Sequence, residues 1–131
     1  MDEDNIKAVL DEVCNTFSQL DMQAWFDCFH RPCMIVTPNG AHCLQSFEDC
    51  ENLMGPTFSE LMKKEFVQST LDDYKIKIIS PYFAVASAIW SRFNKHGECF
   101  QRFGVSYGFN KIDSVWKICN LTSHSANSSI L

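Results

Sequence analysis

The apolar positions near the N-terminus recur at intervals of three and four residues, which is the spacing of one face of a helix. They are Ile6, Val9, Leu10, Val13, Phe17 and Leu20. This pattern predicts an amphipathic helix over residues 3–19. Asp21 is a suitable N-cap for a second, short helix with the sequence MQAWFDCF, and we expect Pro32 to stop that helix.

The segment CMIVT, directly after Pro32, is apolar and contains β-branched residues, so it predicts a first strand. The sequence PNG at residues 38–40 is typical of a turn. AHCLQ, which follows the turn, is a suitable antiparallel partner, so residues 33–45 are predicted to form a hairpin.

Two helical segments follow the hairpin. SFEDCENLMG opens with a capping box formed by Ser46 and Asp49, and Gly55 is a suitable helix end. A second capping box, formed by Thr57 and Glu60, opens TFSELMKKEF. The pattern predicts either two short helices or one broken helix.

From Tyr74 onward the apolar residues alternate with polar ones, which is the period of a strand. Four strand candidates follow one another: YKIKIIS, FAVASAIWSRF, ECFQRFGVSYGF and VWKICNLTSH. Because the links between them are short, we expect an antiparallel meander. The helices come first and must cover one face of this sheet, so residues 1–131 are predicted to form a single α+β domain.

The net charge of −5 is unevenly distributed along the chain. Residues 1–73 hold fourteen acids and four Lys/Arg, a net of −10, and residues 74–131 hold two acids and seven Lys/Arg, a net of +5. The acidic half argues against nucleic acid as a partner. The basic half is compatible with a local anionic ligand, or with charge pairing between the two halves.

The chain contains no apolar run of about 20 residues, so it predicts no membrane span. The acidic start MDEDN does not resemble a signal peptide. Seven cysteines form an odd number among apolar neighbours, which favours reduced thiols over a disulfide framework. We therefore expect a cytoplasmic protein.

The order of elements, together with FAVASAIWSRF, HGECFQRFGVSYGF and DSVWKI, resembles the NTF2-like superfamily in its SnoaL-like branch. The resemblance spans roughly residues 5–125. It implies an α+β cone in which a strongly curved, mostly antiparallel sheet wraps the N-terminal helices and its open end is a ligand pocket. It also implies a homodimer formed through the outer face of the sheet. The superfamily contains lyases, isomerases and members without catalysis, so it leaves open whether this chain is an enzyme.

The cysteines and histidines between residues 28 and 43 do not fit a metal site. Cys28, His30 and Cys33 lack the paired short spacing of structural zinc. His42 and Cys43 are neighbours on a strand and therefore point to opposite faces. We predict no metal and no cofactor, with these cysteines packed as small apolar residues.

One position argues against a known reaction of the superfamily. In its ketosteroid isomerases, an aspartate general base stands on the first strand just before a Pro-x-Gly turn. The matching segment here is VTPNG, and Thr37 occupies that position. A threonine hydroxyl is not a general base near neutral pH, so that isomerisation is not expected.

Candidate acid–base residues remain at the end of the second helix. Asp27 and His30 are three residues apart, a spacing that lets them share a helix face. With a phenol from Tyr107, this pair would suit proton transfer in a lyase or isomerase without a cofactor. The alternative is a histidine that interacts with carbonyl groups of the last helical turn.

Candidate ligand contacts alternate along the later strands. Trp90 and Arg92 share one face of their strand, and Phe103 and Tyr107 share one face of the next. Together with Trp25 and Thr37, they would suit a flat, partly anionic small molecule. The same rings would also fit a plain core or a dimer interface. Arg102, Gly104 and Ser106 share the face of their strand opposite Phe103, and this face is a candidate for the outer, subunit-contacting side of the sheet. His124 is expected to be structural.

Two functional hypotheses follow. The first is a small-molecule-binding cone that catalyses proton transfer with His30, Asp27 and Tyr107. The second is a ligand-binding or protein-interaction module without catalysis.

Overall fold

Three helices and six strands make up the computed structural model, which describes residues 1–128. The helices are α1 (Asp2–Ser18), α2 (Met22–Phe26) and α3 (Phe47–Lys63). The strands are β1 (Phe29–Thr37), β2 (Gly40–Leu44), β3 (Phe66–Ser80), β4 (Phe83–Asn94), β5 (Cys99–Ile112) and β6 (Val115–His124).

The strands form one sheet with the order β2-β1-β6-β5-β4-β3. β3 to β6 are sequential neighbours, so the predicted antiparallel meander is confirmed. β1 pairs antiparallel with β2 and parallel with β6. The register shifts at several points along β3, and such bulges bend a strand and increase its twist. The predicted α+β fold with a curved, mostly antiparallel sheet is confirmed.

α3 differs from the prediction because it is one continuous helix that contains Gly55 and Pro56. Proline removes one main-chain hydrogen bond and costs about 3 kcal/mol in a helix interior. The apolar stripe of the helix nevertheless continues across it, with Cys50 before and Phe58 and Leu61 after, all buried. Burial of this shared stripe offsets the proline, so the helix does not break. The capping contact predicted at Ser46 is present, with its side chain accepting from the Asp49 main-chain N–H at 3.2 Å.

The second helix is shorter than predicted. It starts at the expected cap, since Asp21 accepts a hydrogen bond from the Ala24 N–H at 3.1 Å, but it ends at Phe26. Pro32 lies inside β1, not at a helix end. β1 and β6 lose regular register between Phe29 and Met34, so the missing N–H of Pro32 interrupts a ladder that is already irregular there.

The third strand begins earlier than predicted. β3 starts at Phe66, whereas the alternation of the sequence pointed to Tyr74. β3 is an edge strand, and its first half is polar on most positions, including Gln68 and Asp72. Polar residues are common on edge strands, and here they conceal the period of two.

The core lies between the helices and the concave face of the sheet. Ala84, Ala86, Ala88 and Trp90 of β4 are almost fully buried on that face. Between them, Val85 and Ile89 are partly exposed and lie on the outer face. α1 packs against β3 and β6, and its buried residues include Ile6, Leu10, Val13 and Phe17.

Gly104 is required by a close approach on the outer face. A Cβ atom at this position would lie 2.5 Å from His124 Cε1 and 2.8 Å from the Ser125 carbonyl oxygen. The His124 ring also contacts Ser106, with Nε2 2.9 Å from the serine Oγ. These contacts support the structural role expected for His124.

We expect Gly104→Ala to lower the free energy of unfolding by about 1–3 kcal/mol, because neither the ring nor the carbonyl has room for a methyl group. Urea denaturation would measure the change. Gly108→Ala is the matched control on the same strand and face, since its Cβ would meet its nearest neighbour, Asn120 Cβ, at an ordinary 3.4 Å. Equal effects of the two substitutions would contradict the close-approach argument.

Candidate functional site

A cavity of about 460 Å³ opens between the helices and the concave face of β4 and β5. Pro38, Gln101 and Ser125 line it and are exposed, so they mark its mouth. Trp25 and Tyr107 line it and are buried, so they mark its closed part. The volume lies within the range of about 300–1,000 Å³ that is usual for small-molecule sites.

The structure brings most of the predicted site residues together. The six that line the cavity are Trp25, Thr37, Trp90, Arg92, Phe103 and Tyr107. The predicted shared faces are therefore found: Trp90 and Arg92 project from β4 into the same space as Phe103 and Tyr107 from β5. That these residues bind a ligand stays a prediction.

Asp27 and His30 are not brought together, and neither lines the cavity. Asp27 follows α2 and pairs with Arg31 at 2.9 Å. His30 lies at the start of β1, where its Nε2 donates to the Asn110 carbonyl oxygen at 2.8 Å. Phe29 enters the core, and neighbouring side chains on a strand point to opposite faces, so His30 is turned away from the cavity. The expected helical spacing fails because α2 ends before either residue.

Arg92 is the cation of the cavity wall, and it stands between two aromatic rings. Its Cζ atom lies 4.5 Å from the centre of the Phe103 ring and 4.9 Å from that of Phe17. Nη1 donates to Gln101 Oε1 at 2.9 Å. Stacking on rings and a neutral amide hold the guanidinium in place without neutralising its charge.

The guanidinium of Arg92 is not fully partnered. Among residues 1–128, no carboxylate pairs with it, and its buried Nε has no hydrogen-bond acceptor. Burial lowers the pKa of Arg92 to about 10, since a desolvated cation is destabilised. The side chain is still protonated at neutral pH. The cavity wall therefore contains a positive charge with an unsatisfied N–H group.

Tyr107 and Trp90 are linked deeper in the cavity. The indole Nε1 of Trp90 donates to the phenol oxygen of Tyr107 at 3.1 Å, and both side chains are buried. Burial raises the pKa of Tyr107 well above its usual range, since the phenolate would be desolvated. The phenol is therefore a neutral hydrogen-bond donor and not a base at physiological pH.

Other contributors to the wall were not singled out from the sequence as site residues. Phe17 and Cys14 come from α1 and Gln101 from the first part of β5. Phe17 shows only the spacing of a core residue, and its contact with Arg92 depends on how α1 crosses the sheet. His124 borders the mouth, but its ring lies over Gly104 on the opposite face of β5 from Phe103. Among the described lining residues, none is an aspartate or a glutamate.

Cys28 and Cys33 are packed as predicted, and Cys50 is buried too, but Cys43 and Cys99 are exposed. Burial raises the pKa of Cys28 and Cys33 to about 11 and that of Cys50 to about 12, so these thiols are protonated at neutral pH. All seven cysteines are free. Within residues 1–128, no group of three or more His, Cys, Asp or Glu side chains is placed to hold a metal ion.

A search for helices able to cross a membrane found none in the described part of the chain, where each helix is too short or too polar.

Solved structures share this fold at low sequence identity. An NTF-2 like protein of unknown function from Shewanella oneidensis MR-1 is 18% identical, with a TM-score of 0.74 over 94% of this chain and 98% of that one. An NTF2-like protein with a cystatin-like fold from Novosphingobium aromaticivorans is 12% identical, with a TM-score of 0.80 over 98% of this chain and 84% of that one. A Nostoc punctiforme protein of unknown function with a cystatin-like fold is 12% identical, with a TM-score of 0.75 over 99% and 96%.

At these low sequence identities, structural similarity establishes the fold and gives no evidence of activity. No curated protein matches the chain. The finer placement in the SnoaL-like branch stays a prediction. The sequence profile of a family described as "NTF2-like protein (DUF6841)" matches residues 2–126, which is nearly the whole chain. The chain therefore belongs to this NTF2-like family.

Proposed function

We propose that the cavity binds a small organic anion that has an apolar body and a carboxylate. The observation that carries this proposal is Arg92, a desolvated cation whose Nε has no acceptor and which no described carboxylate neutralises. Charges withdrawn from water are normally paired in proteins, so a half-buried, unpaired one in the wall of a ligand-sized cavity favours an anionic ligand.

The unsatisfied edge of the guanidinium favours a carboxylate in particular. Nη1 is occupied by Gln101, which leaves the Nε and Nη2 side of the planar group. That side offers two parallel N–H donors, the arrangement that binds the two oxygens of a carboxylate. Phe17 and Phe103 on either side would cover the faces of the same ion pair and keep water from it.

The rest of the wall favours an apolar ligand body. Val13, Phe17, Trp25, Ile35 and Val105 all line the cavity and are apolar. Such walls with few polar groups are typical of sites that bind by burial and orient the ligand through one or two contacts. The ligand would lie along the concave sheet with its carboxylate near the mouth, where Gln101 is exposed.

The residues of the cavity wall favour ligand binding over catalysis. Proton transfer needs a general base within reach of the substrate. The described cavity wall has no aspartate or glutamate, His30 lies elsewhere, and the His124 ring is turned to the outer face. A ligand-binding role therefore agrees better with this wall than a lyase or isomerase does. The homodimer through the outer sheet face and the cytoplasmic location remain predictions.

A comparison of matched ligands tests the proposal. We expect arene carboxylic acids to raise the melting temperature and the primary amides of the same acids not to do so, because the amide lacks the charge that Arg92 requires. At a ligand concentration of 100 Kd, the gain in unfolding free energy is about 2.7 kcal/mol. For a domain of this size, that corresponds to a shift of roughly 5–10 °C. Equal shifts with acids and amides, or no shift with either, would contradict the proposal.

A further inference from the structure

Tyr107 has a hydroxyl proton that the described protein does not use. Trp90 is its only hydrogen-bond partner among residues 1–128, and an indole N–H is a donor only. The phenol oxygen therefore acts as the acceptor in this contact. Its own O–H has no acceptor among these residues, although Tyr107 is only 3% exposed.

Tyr107 lines the cavity from the concave side of β5, so this free hydroxyl belongs to the cavity wall. A buried hydroxyl that makes no donor contact is unfavourable, so the position is suited to an acceptor atom that comes from outside the chain. Water can fill this role before a ligand enters, and a ligand oxygen can replace that water.

This end of the cavity lacks a hydrogen-bond acceptor, and this lack defines the ligand group that would contact Tyr107. Trp90 Nε1 and the phenol O–H are both donors, and the phenol stays protonated because burial raises its pKa. Such a site is satisfied best by a ligand group that accepts a hydrogen bond and carries no N–H or O–H of its own. A carbonyl oxygen has this property, whereas an amine or amide nitrogen does not.

The two polar points of the cavity are separated along β5. Arg92 is paired in register with Gln101, and Tyr107 lies six residues further along the same strand. At about 3.3 Å per residue this is roughly 20 Å of backbone. The side chains close most of that distance, since Trp90, two residues from Arg92 on the same face of β4, reaches the Tyr107 hydroxyl at 3.1 Å. Phe103 and Val105 line the wall between them. A ligand that reaches both points therefore needs only a short spacer between its carboxylate and its acceptor.

We propose that Tyr107 is a specificity-determining residue, and that the ligand class is an oxo acid: a carboxylate at Arg92, an apolar body on Phe103 and Val105, and a carbonyl oxygen that accepts from the Tyr107 hydroxyl. This inference rests on the proposed function, since it assumes that a carboxylate occupies the site at Arg92. It adds the identity of the second polar group.

The test uses ω-oxo-ω-phenyl alkanoic acids of increasing chain length and the ω-phenyl alkanoic acids that lack the carbonyl. Isothermal titration calorimetry should show that the wild-type protein prefers the oxo acid at one chain length by roughly tenfold, the usual effect of one satisfied buried hydrogen bond. Tyr107→Phe should bind the two acids within about twofold of each other and bind the acid without the carbonyl as the wild type does.

A second variant separates recognition from structural support. Trp90→Phe removes the indole donor and keeps the phenol, so it should retain the preference for the oxo acid even if both variants lose stability. Retention of the preference in Tyr107→Phe, or no preference in the wild type at any chain length, would overturn this inference while carboxylate binding stands. If neither type of acid binds the wild type, the proposed function itself fails.

Discussion

Arg92→Met should abolish carboxylate binding and at the same time stabilise the ligand-free protein. Loss of one partner of a buried charge pair costs about 2–5 kcal/mol, so we expect the affinity for arene carboxylates to fall by about thirtyfold or more. Methionine preserves the apolar contact with Phe17 and Phe103 and removes the desolvated charge. Replacing a buried charge with an apolar side chain of similar size is often stabilising, here by about 1–3 kcal/mol.

The stability gain expected from Arg92→Met depends on pH, and the sign of this dependence follows from the pKa of Arg92. The pKa of Arg92 is lowered to about 10 in the folded protein, so the folded state disfavours the cation relative to the unfolded chain. The stability advantage of Arg92→Met should be fully present below pH 10 and narrow as the pH rises above it. Carboxylate binding by the wild type should weaken over the same rise, because the guanidinium loses its charge.

Arg102→Met is the matched control for Arg92→Met. Arg102 is exposed on the outer face, where its Nε lies 3.6 Å from Asp72 Oδ2. Exposed ion pairs contribute little to stability, so neither affinity nor unfolding free energy should change measurably. Calorimetric titration and urea denaturation of the two variants would give both quantities. An Arg92→Met protein that keeps its affinity, or one that is less stable than wild type, would contradict the account of Arg92 as an uncompensated charge.

Phe17→Ala should be the most destabilising of the substitutions considered, by about 3–5 kcal/mol. Phe17 is 7% exposed and joins three other rings, with centroid distances of 5.1 Å to Phe58, 5.8 Å to Phe66 and 5.9 Å to Trp25. Its removal leaves a void that rigid aromatic neighbours fill only in part. Because natural domains are stable by only about 5–15 kcal/mol, the variant should unfold at much lower urea.

The same substitution should weaken ligand binding only moderately. Arg92 would lose the ring at 4.9 Å but keep Phe103 at 4.5 Å and the hydrogen bond to Gln101. We expect a loss of several-fold in carboxylate affinity, which is the scale of one cation–π contact. Phe47→Ala is the control, since Phe47 is half-buried and its closest ring, Phe26, is 6.5 Å away. Equal losses of stability in both variants would refute a central role for Phe17.

The parts of the site that could be predicted from the sequence are those set by strand alternation. FAVASAIWSRF and ECFQRFGVSYGF alternate strongly, and their short link fixes them as neighbours. Trp90, Arg92, Phe103 and Tyr107 therefore had to project from the same two strand faces. Trp25 and Thr37, the other two predicted ligand contacts, also line the cavity.

The incorrect predictions lie where two local preferences compete. Gly55 and Pro56 favour a helix end, but the apolar stripe from Cys50 to Leu61 is buried as one surface and keeps α3 continuous. The pattern around Asp27 and His30 fits a longer second helix. There, burial of Phe29 in the core starts β1 earlier and gives the two polar residues separate partners.

The sequence by itself determined the fold class, the order of the strands β3 to β6 and which side chains of β4 and β5 share a face. Periods of two and of 3.6 residues are local, so a single sequence displays them. Only the tertiary structure decided that Arg92 is half-buried without a carboxylate partner, that Phe17 stacks on it and that the Tyr107 hydroxyl has no acceptor in a residue that lines a cavity. These properties depend on which groups from distant parts of the chain come within a few ångströms of each other, and neither charge nor spacing along the chain specifies such distances.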